Sequence, residues 1–150
     1  MESTDVNQPP KRMPIGKEYS YDCYHISVEK VRDFRSACGW PVEDNPSQVP
    51  QSFILAIVRR SINRLIRDPE LGLNVGRLHL NRIRFQWELP LTLGAVVRTA
   101  AKLSQAGRVE FAGRSYWAIV GLTHTVDEAG ATLCRSRWEY HQAGEIAVDG

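Results

Sequence analysis

The sequence is poor in cysteine and has no long apolar run. Its 150 residues include three cysteines, Cys23, Cys38 and Cys134. There is no CxxC pair and no histidine at metal-ligand spacing, so neither a disulfide framework nor a zinc site is predicted. The longest apolar run, Phe53 to Val58, is far shorter than the roughly 18 residues of a membrane-spanning helix. We therefore expect reduced thiols, no metal, no membrane partner and a cytoplasmic location.

Charge of one sign is not in excess either. The 19 Lys and Arg residues against 17 Asp and Glu give a formal net charge of +2, which is too balanced for a protein that binds nucleic acid by neutralising phosphates. The basic residues nevertheless concentrate in one stretch, at Arg59, Arg60, Arg64, Arg67, Arg77, Arg82 and Arg84. Few acids accompany them, so we expect a local basic surface and no nucleic-acid partner.

The apolar content is sufficient for one globular domain. The hydrophobic fraction of 43% and the charged fraction of 24% are ordinary for such a domain, and the length fits a single one. Residues 1–16 are polar, contain several prolines and show no periodicity, which predicts a flexible N-terminal arm. Residues 143–150 are expected to form a flexible tail, so the folded domain is predicted over 17–142.

The first half of this domain contains one strand pattern and two helix patterns. Residues 18–26 alternate tyrosine and cysteine with polar residues, which predicts a strand. Ser27 is placed to cap a short helix that ends at Gly39. After a proline-rich loop over 40–50, a long helix begins near residue 51. Its first half is apolar on all sides and is expected to be buried all round, whereas its second half carries arginine on one face.

The second half of the domain has the period of β-strands. Four strands are predicted, over 77–89, 95–103, 109–126 and 131–141. Turns are predicted at 90–94, 105–107 and 127–130, and a bulge near Asn81. A helix with an apolar half must be covered, and an antiparallel sheet is the element available to cover it. The predicted fold class is α+β, a single hotdog fold in which an antiparallel sheet wraps a long central helix.

Several short motifs occur in an order that resembles a known family. They are V-x-x-F-x-x-A-x-G from Val31, D-N-P from Asp44, V-P-x-S-F from Val49, P-L-x-x-G from Pro90 and T-x-x-x-D-E-x-G from Thr123. Over residues 17–142 the chain is similar to the MaoC-like hotdog dehydratases and hydratases, and most similar to the N-terminal half of such proteins. The resemblance implies a lyase activity, the reversible hydration of an enoyl group held as a thioester on coenzyme A or an acyl carrier protein. We expect no cofactor.

The catalytic segment of this family resembles D-x-N-P-aliphatic-H, which aligns here with E-D-N-P-S-Q. Glu43 stands at the aspartate position and Gln48 at the histidine position, so the Asp/His pair is degenerate. By resemblance, Glu43 and Asp44 are the candidates for proton transfer, Asn45 would orient substrate or water, and Gln48 would hydrogen-bond a carbonyl. His79 lies near a position where the family often has L-H. A solvated turn for the loop and a structural role for His79 stay open.

The start of the long helix is the candidate binding site for a thioester oxygen. At Gln51, Ser52 and Phe53 the backbone N–H groups have no partner within the helix, and the helix dipole favours negative charge there. Ser52 could also act as a helix cap, and the two roles are compatible. Arg77 and Asn81, on the polar side of the strand that follows, complete the candidate substrate-binding residues.

Two classes of function stay open. The first is an enzyme that acts on an acyl-CoA or carrier-protein substrate, including polyketide-like ones, by dehydration, hydration or a related addition or cyclisation. The second is a non-catalytic hotdog subunit that pairs with a catalytic MaoC-like partner. A homodimer or heterodimer is expected because one hotdog leaves a sheet edge uncovered. A thioesterase is less favoured, since the apolar half of the helix has no carboxylate. The arginine face of the long helix would bind the phosphates of coenzyme A or the acidic surface of a carrier protein, or it is only a solvent-exposed helix face.

Overall fold

The computed structural model of the protein describes residues 14–41 and 48–143. Most of the predicted arm, the predicted tail from residue 144, and the loop residues Glu43, Asp44 and Asn45 lie outside the described residues. The elements are β1 (Glu18–His25), α1 (Val28–Ala37), α2 (Ile54–Ile66), β2 (Leu78–Trp87), β3 (Val96–Phe111), β4 (Arg114–Val126) and β5 (Thr132–Ala143). Short 3-10 turns over Gln51–Phe53 and Val75–Arg77 precede α2 and β2. In the described parts, no helix has the length and apolar character needed to cross a membrane.

The five strands form one antiparallel sheet in the order β1-β3-β4-β5-β2. Helix α2 packs mainly against β1, β3 and β4, and buried residues of β5, Cys134, Trp138 and Tyr140, belong to the same core. A long helix on an antiparallel sheet in this topology is the predicted hotdog fold, which is confirmed. β1 and β2 are the two edge strands of the described sheet.

Local sequence signals explain how α1 begins and ends. The Ser27 side-chain oxygen accepts a hydrogen bond from the Lys30 backbone N–H at 3.2 Å, and Glu29 lies in the first turn, where the helix dipole favours a negative charge. Beyond the helix, Gly39 adopts a positive φ of 73°, the left-handed conformation that glycine adopts without strain. The predicted capping of this helix is confirmed.

Helix α2 supplies the core of the molecule with its apolar face. Ile54, Ile57, Val58, Ile62 and Leu65 are all at most 2% exposed, and burying each such side chain contributes about 1.5–3 kcal/mol. The expectation that its first half is buried all round is wrong, because Leu55 is 37% exposed. The apolar stripe covers one face of the helix rather than its whole circumference.

The predicted bulge in the sheet is confirmed, and one of the predicted turns is wrong. The β2–β5 register shifts between Leu80 and Arg82, at the predicted bulge. The predicted turn at 105–107 does not exist, because β3 runs on to Phe111 with only a register shift after Leu103. The chain turns instead at Ala112–Gly113, where both residues have positive φ. A two-residue turn of this kind matches the twist of the paired strands.

Asp68, which lies just beyond the end of α2, is the centre of a cluster of polar contacts. Its carboxylate is nearly buried and is held by the Lys17 ammonium at 2.7 Å, the Tyr19 hydroxyl and the Glu70 backbone N–H at 2.9 Å. Burial opposes ionisation of this group, but these three donors together hold the pKa of Asp68 below its usual value. The cluster fastens the end of α2 to the start of β1.

Helix α2 and β4 approach each other closely at Gly121. A Cβ atom at this position would lie 3.0 Å from Cδ1 of Ile62 and 3.2 Å from Cδ1 of Leu65. Gly121→Val should therefore force the helix away from the sheet and lower the free energy of unfolding by about 1–3 kcal/mol, measured by chemical denaturation. Gly107→Val in β3 is the matched control, because nothing lies within 4 Å of its Cβ position. Equal effects of the two changes would contradict this packing.

Loss of the Asp68 carboxylate should destabilise the fold in a pH-dependent way. Asp68→Asn is expected to cost on the order of 1–3 kcal/mol near neutral pH, because it removes the charged acceptor from Lys17 and Tyr19. A lowered folded-state pKa gives stability that is present above the unfolded pKa, near 4, and is lost as pH falls through the folded value. The difference in melting temperature between wild type and variant should therefore shrink below about pH 4. A difference that stays constant with pH would exclude this contribution. Glu110→Gln, at an exposed side chain outside the Asp68 cluster, is the control.

Candidate functional site

The start of the long helix has no side-chain cap. The residue before the first turn is Pro50, which has an extended backbone, and neither the 3-10 turn nor α2 receives a capping hydrogen bond from a side chain. Ser52 therefore does not cap the helix, although its position in the sequence allowed that role. Gln48, Gln51 and Ser52 are all exposed, and no acidic residue lies in the first turn. Among the described residues, neither a side-chain cap nor an acidic residue occupies the positive end of the helix dipole.

Phe53 holds this helix start in place. Its ring meets Phe34 of α1 edge-on at 5.4 Å and Tyr24 of β1 at 5.9 Å between ring centroids, and Phe34 in turn contacts Trp40. The Phe53 side chain is 1% exposed, and its backbone N–H donates to the Pro50 carbonyl at 3.0 Å. We therefore assign Phe53 a positioning role instead of the predicted contact with substrate. Gln51 and Ser52 are left as the exposed residues of this turn.

The second group of predicted site residues lies elsewhere in the chain's fold. His79 and Asn81, at the start of β2, are exposed, and Arg77 immediately precedes this strand. His79 is paired with His141 of β5, and the ring of His141 stacks on Tyr116 at 5.9 Å. Sequence reasoning missed the pairing of His79 with His141, because nothing in either strand alone shows which residues face each other.

The sheet register gives the separation of the two groups. The helix start contacts Tyr24, which is paired with Val97 of β3. His79 pairs with His141, His141 with Ala118, and Ala118 with Gly107. His79 therefore lies at the same level of the sheet as Gly107 of β3. Positions 97 and 107 of β3 are ten residues apart, which corresponds to roughly 30 Å along the strand at about 3.3 Å per residue. Within one chain, the structure does not bring His79 and its neighbours to the helix start.

An apolar surface beside the edge strand β2 is a further feature that the sequence did not reveal. Ile83, Phe85 and Trp87 of β2 lie opposite Trp138, Ser136 and Cys134 of β5 in the register. Phe85 is 36% exposed and Leu80 is 46% exposed. Trp138 and Cys134 are buried and Ile83 and Trp87 pack against the core, so Leu80 and Phe85 are the exposed apolar residues of this strand. Such a surface can take an acyl chain or a second subunit.

The comparisons with known proteins agree with the fold. No family model matches the chain. It is similar to a UPF0336 protein of Streptomyces avermitilis, with 28% identity over 133 residues that cover 77% of this chain and 83% of the relative. Solved structures share its fold with higher coverage and lower identity.

One chain of the C-terminally truncated HadBC (3R-hydroxyacyl-ACP dehydratase) complex from Mycobacterium tuberculosis superposes with a TM-score of 0.69. The identity is 13%, and the match covers 87% of this chain and 98% of that chain. A MaoC-like dehydratase gives a TM-score of 0.68 at 18% identity, covering 85% of this chain and 42% of the other. The R-hydratase PhaJ1 from Pseudomonas aeruginosa gives 0.58 at 11% identity, covering 89% and 84%. The predicted resemblance to MaoC-like hotdog proteins is thus confirmed in the fold.

The aromatic contacts around Phe53 should determine the stability of the helix start. Phe53→Ala is expected to lower the free energy of unfolding by about 3–5 kcal/mol, because it leaves a cavity among Tyr24, Phe34 and the helix. Leu55→Ala removes an exposed side chain from the next turn and should cost much less. Urea denaturation of both variants tests this, and a similar loss in the two would show that Phe53 does not anchor the turn.

Proposed function

We propose that this protein acts on an acyl thioester, carried on coenzyme A or an acyl carrier protein, by dehydration, hydration or a related addition or cyclisation. The observation that carries the proposal is the uncapped helix start on a hotdog fold, held by Phe53 and directly preceded in sequence by the carboxylate-bearing loop. Two of the structural neighbours are named as dehydratases and one as a hydratase, which supports this reaction class.

In the proposed dehydration, Glu43 or Asp44 removes a proton from the carbon next to the thioester carbonyl. The negative charge that builds on the carbonyl oxygen is stabilised by backbone N–H groups at Gln51 and Ser52 and by the helix dipole. The carboxyl group that took this proton then gives it to the β-hydroxyl group, which leaves as water when its bond to carbon breaks and the double bond forms. Hydration is the same sequence in reverse, and Asn45 and Gln48 orient the substrate by hydrogen bonds.

The proposal needs a second hotdog subunit, because only the His79 of another subunit can lie close to the helix start. Among the described residues β2 pairs with β5 alone, so its outer edge can pair with a strand of another subunit. If two such edges pair antiparallel, the start of one strand lies beside the end of the other. The backbone N–H groups of Glu88 and Leu89 donate to the Leu133 carbonyl, next to the 127–130 turn. The chain just after β2 is therefore level with the helix start. Arg77, His79 and Asn81 of one subunit would then face the helix start of the other.

A second candidate function is a non-catalytic subunit that pairs with a catalytic MaoC-like partner. The observation that favours it is the replacement of the family's Asp/His pair by Glu43 and Gln48, which leaves no residue for proton transfer at the histidine position. The exposed Leu80 and Phe85 on the edge strand support pairing, and one structural neighbour is named as a complex, HadBC. A thioesterase is less favoured because α2 has no acidic residue.

The loop carboxylates provide the direct test. Glu43→Gln and Asp44→Asn should each keep the wild-type melting temperature, and at least one should lower turnover of a 3-hydroxyacyl or enoyl thioester by about 10²–10⁴-fold, the usual contribution of a general acid or base. Full turnover in both variants would contradict the catalytic role. Glu70→Gln, remote from the helix start, is the control and should leave turnover unchanged.

Light scattering and turnover together separate the two candidates. A stable, active homodimer of the purified chain supports the enzyme and argues against the helper role. A chain that is inactive alone but raises the activity of a second hotdog protein carrying an intact Asp/His pair supports the non-catalytic subunit.

A further inference from the structure

The outer face of α2 carries a row of arginines with no acidic residue on the same helix. Arg59, Arg60 and Arg64 lie on α2 and Arg67 follows it directly, and all four are exposed. Exposed helices commonly place opposite charges three or four residues apart, where they attract. Here Arg60 and Arg64 stand four residues apart with like charge, which repels. The pattern is therefore unfavourable for the helix by itself.

Most of this positive charge has no counterpart in the part of the chain that the structure describes. Arg64 is bound to Asp22 at 2.7 Å, and the nearby Asp68 is already held by Lys17 and Tyr19. Over residues 14–41 and 48–143, no ion pair is found for Arg59, Arg60 or Arg67. Three guanidinium groups are thus available to an external partner, and their planar donor pattern suits carboxylates.

The surface around the row has the shape of a groove. A cavity of about 880 Å³ lies between α2 and the start of β1 and is lined by Arg60, Arg64 and Arg67. A second cavity of about 340 Å³ adjoins it, lined by Arg59 and Arg60. From residue 59 to residue 67 the row extends roughly 12 Å, at 1.5 Å per residue. This spread is too long for a single phosphate and corresponds to about two turns of an acidic helix.

We propose that this arginine row is the docking surface for an acidic carrier protein that delivers the acyl group. The proposal rests on the proposed function, since it names the carrier of the same thioester. The row begins six residues after Phe53, roughly 9 Å along the helix axis, so a carrier bound there stands beside the uncapped helix start. Attraction between exposed charges of opposite sign speeds association and weakens as salt is added.

The test is binding of a purified acyl carrier protein, loaded with a 3-hydroxyacyl group, to the full chain by isothermal titration calorimetry at 50 and 300 mM NaCl. Arg60→Glu with Arg67→Glu should weaken binding at least tenfold at low salt. Arg108→Glu with Arg114→Glu is the matched control, because both residues are exposed on the β3–β4 hairpin and the change in charge is the same. The control should bind within twofold of wild type, and melting temperatures verify that each variant is folded.

Equal loss in the two double variants, an affinity independent of salt, or no binding by wild type would overturn the docking surface. Turnover of the same acyl group on coenzyme A keeps the two proposals separate. If binding behaves as expected but neither thioester is turned over, the docking surface stands and the catalytic proposal fails. If the coenzyme A thioester is turned over while the carrier protein does not bind, the docking surface fails and the catalytic proposal stands.

Discussion

Burial of one face of α2 against β1, β3 and β4 is the interaction on which the remaining features depend. The apolar side chains of this face are almost fully excluded from water, and Gly121 allows the helix to approach β4 closely. Ser61, the polar member of the buried residues of α2, donates to the Thr99 carbonyl at 3.0 Å and also contacts Asp22. A buried hydroxyl with partners does not oppose the packing, so the rotation of the helix about its axis is fixed.

This rotation decides what the helix presents to solvent. With the aliphatic residues inward, Arg59, Arg60 and Arg67 must point away from the sheet. The Asp68 cluster fixes the end of the helix on β1, and the Phe53 contacts fix its start beside Tyr24. Leu80 and Phe85 of β2, beyond the strands that α2 contacts most, stay exposed. The candidate thioester site, the arginine row and the subunit edge therefore all follow from one packing arrangement.

Errors in the sequence reasoning have physical causes in particular residues. The sequence predicts a turn at Gly107, because glycine is common in turns, but β3 passes through this residue in extended conformation. The first half of α2 has apolar residues around most of its circumference, yet a surface helix can leave a residue such as Leu55 in contact with water. The role of Asp68 is not visible in the local sequence, because its partners Lys17 and Tyr19 lie some 50 residues earlier.

The sequence by itself determined the order of the elements, the Ser27 cap, the bulge near Asn81, the hotdog topology and the polarity of the α2 faces. These features depend on the period of apolar residues and on local backbone preferences, which neighbouring residues alone reveal. Only the tertiary structure decided that Phe53 supports the helix start from inside the core and that His79 faces His141. It also placed His79 at the end of the sheet remote from its own helix start, because strand register is set by long-range pairing and not by local pattern.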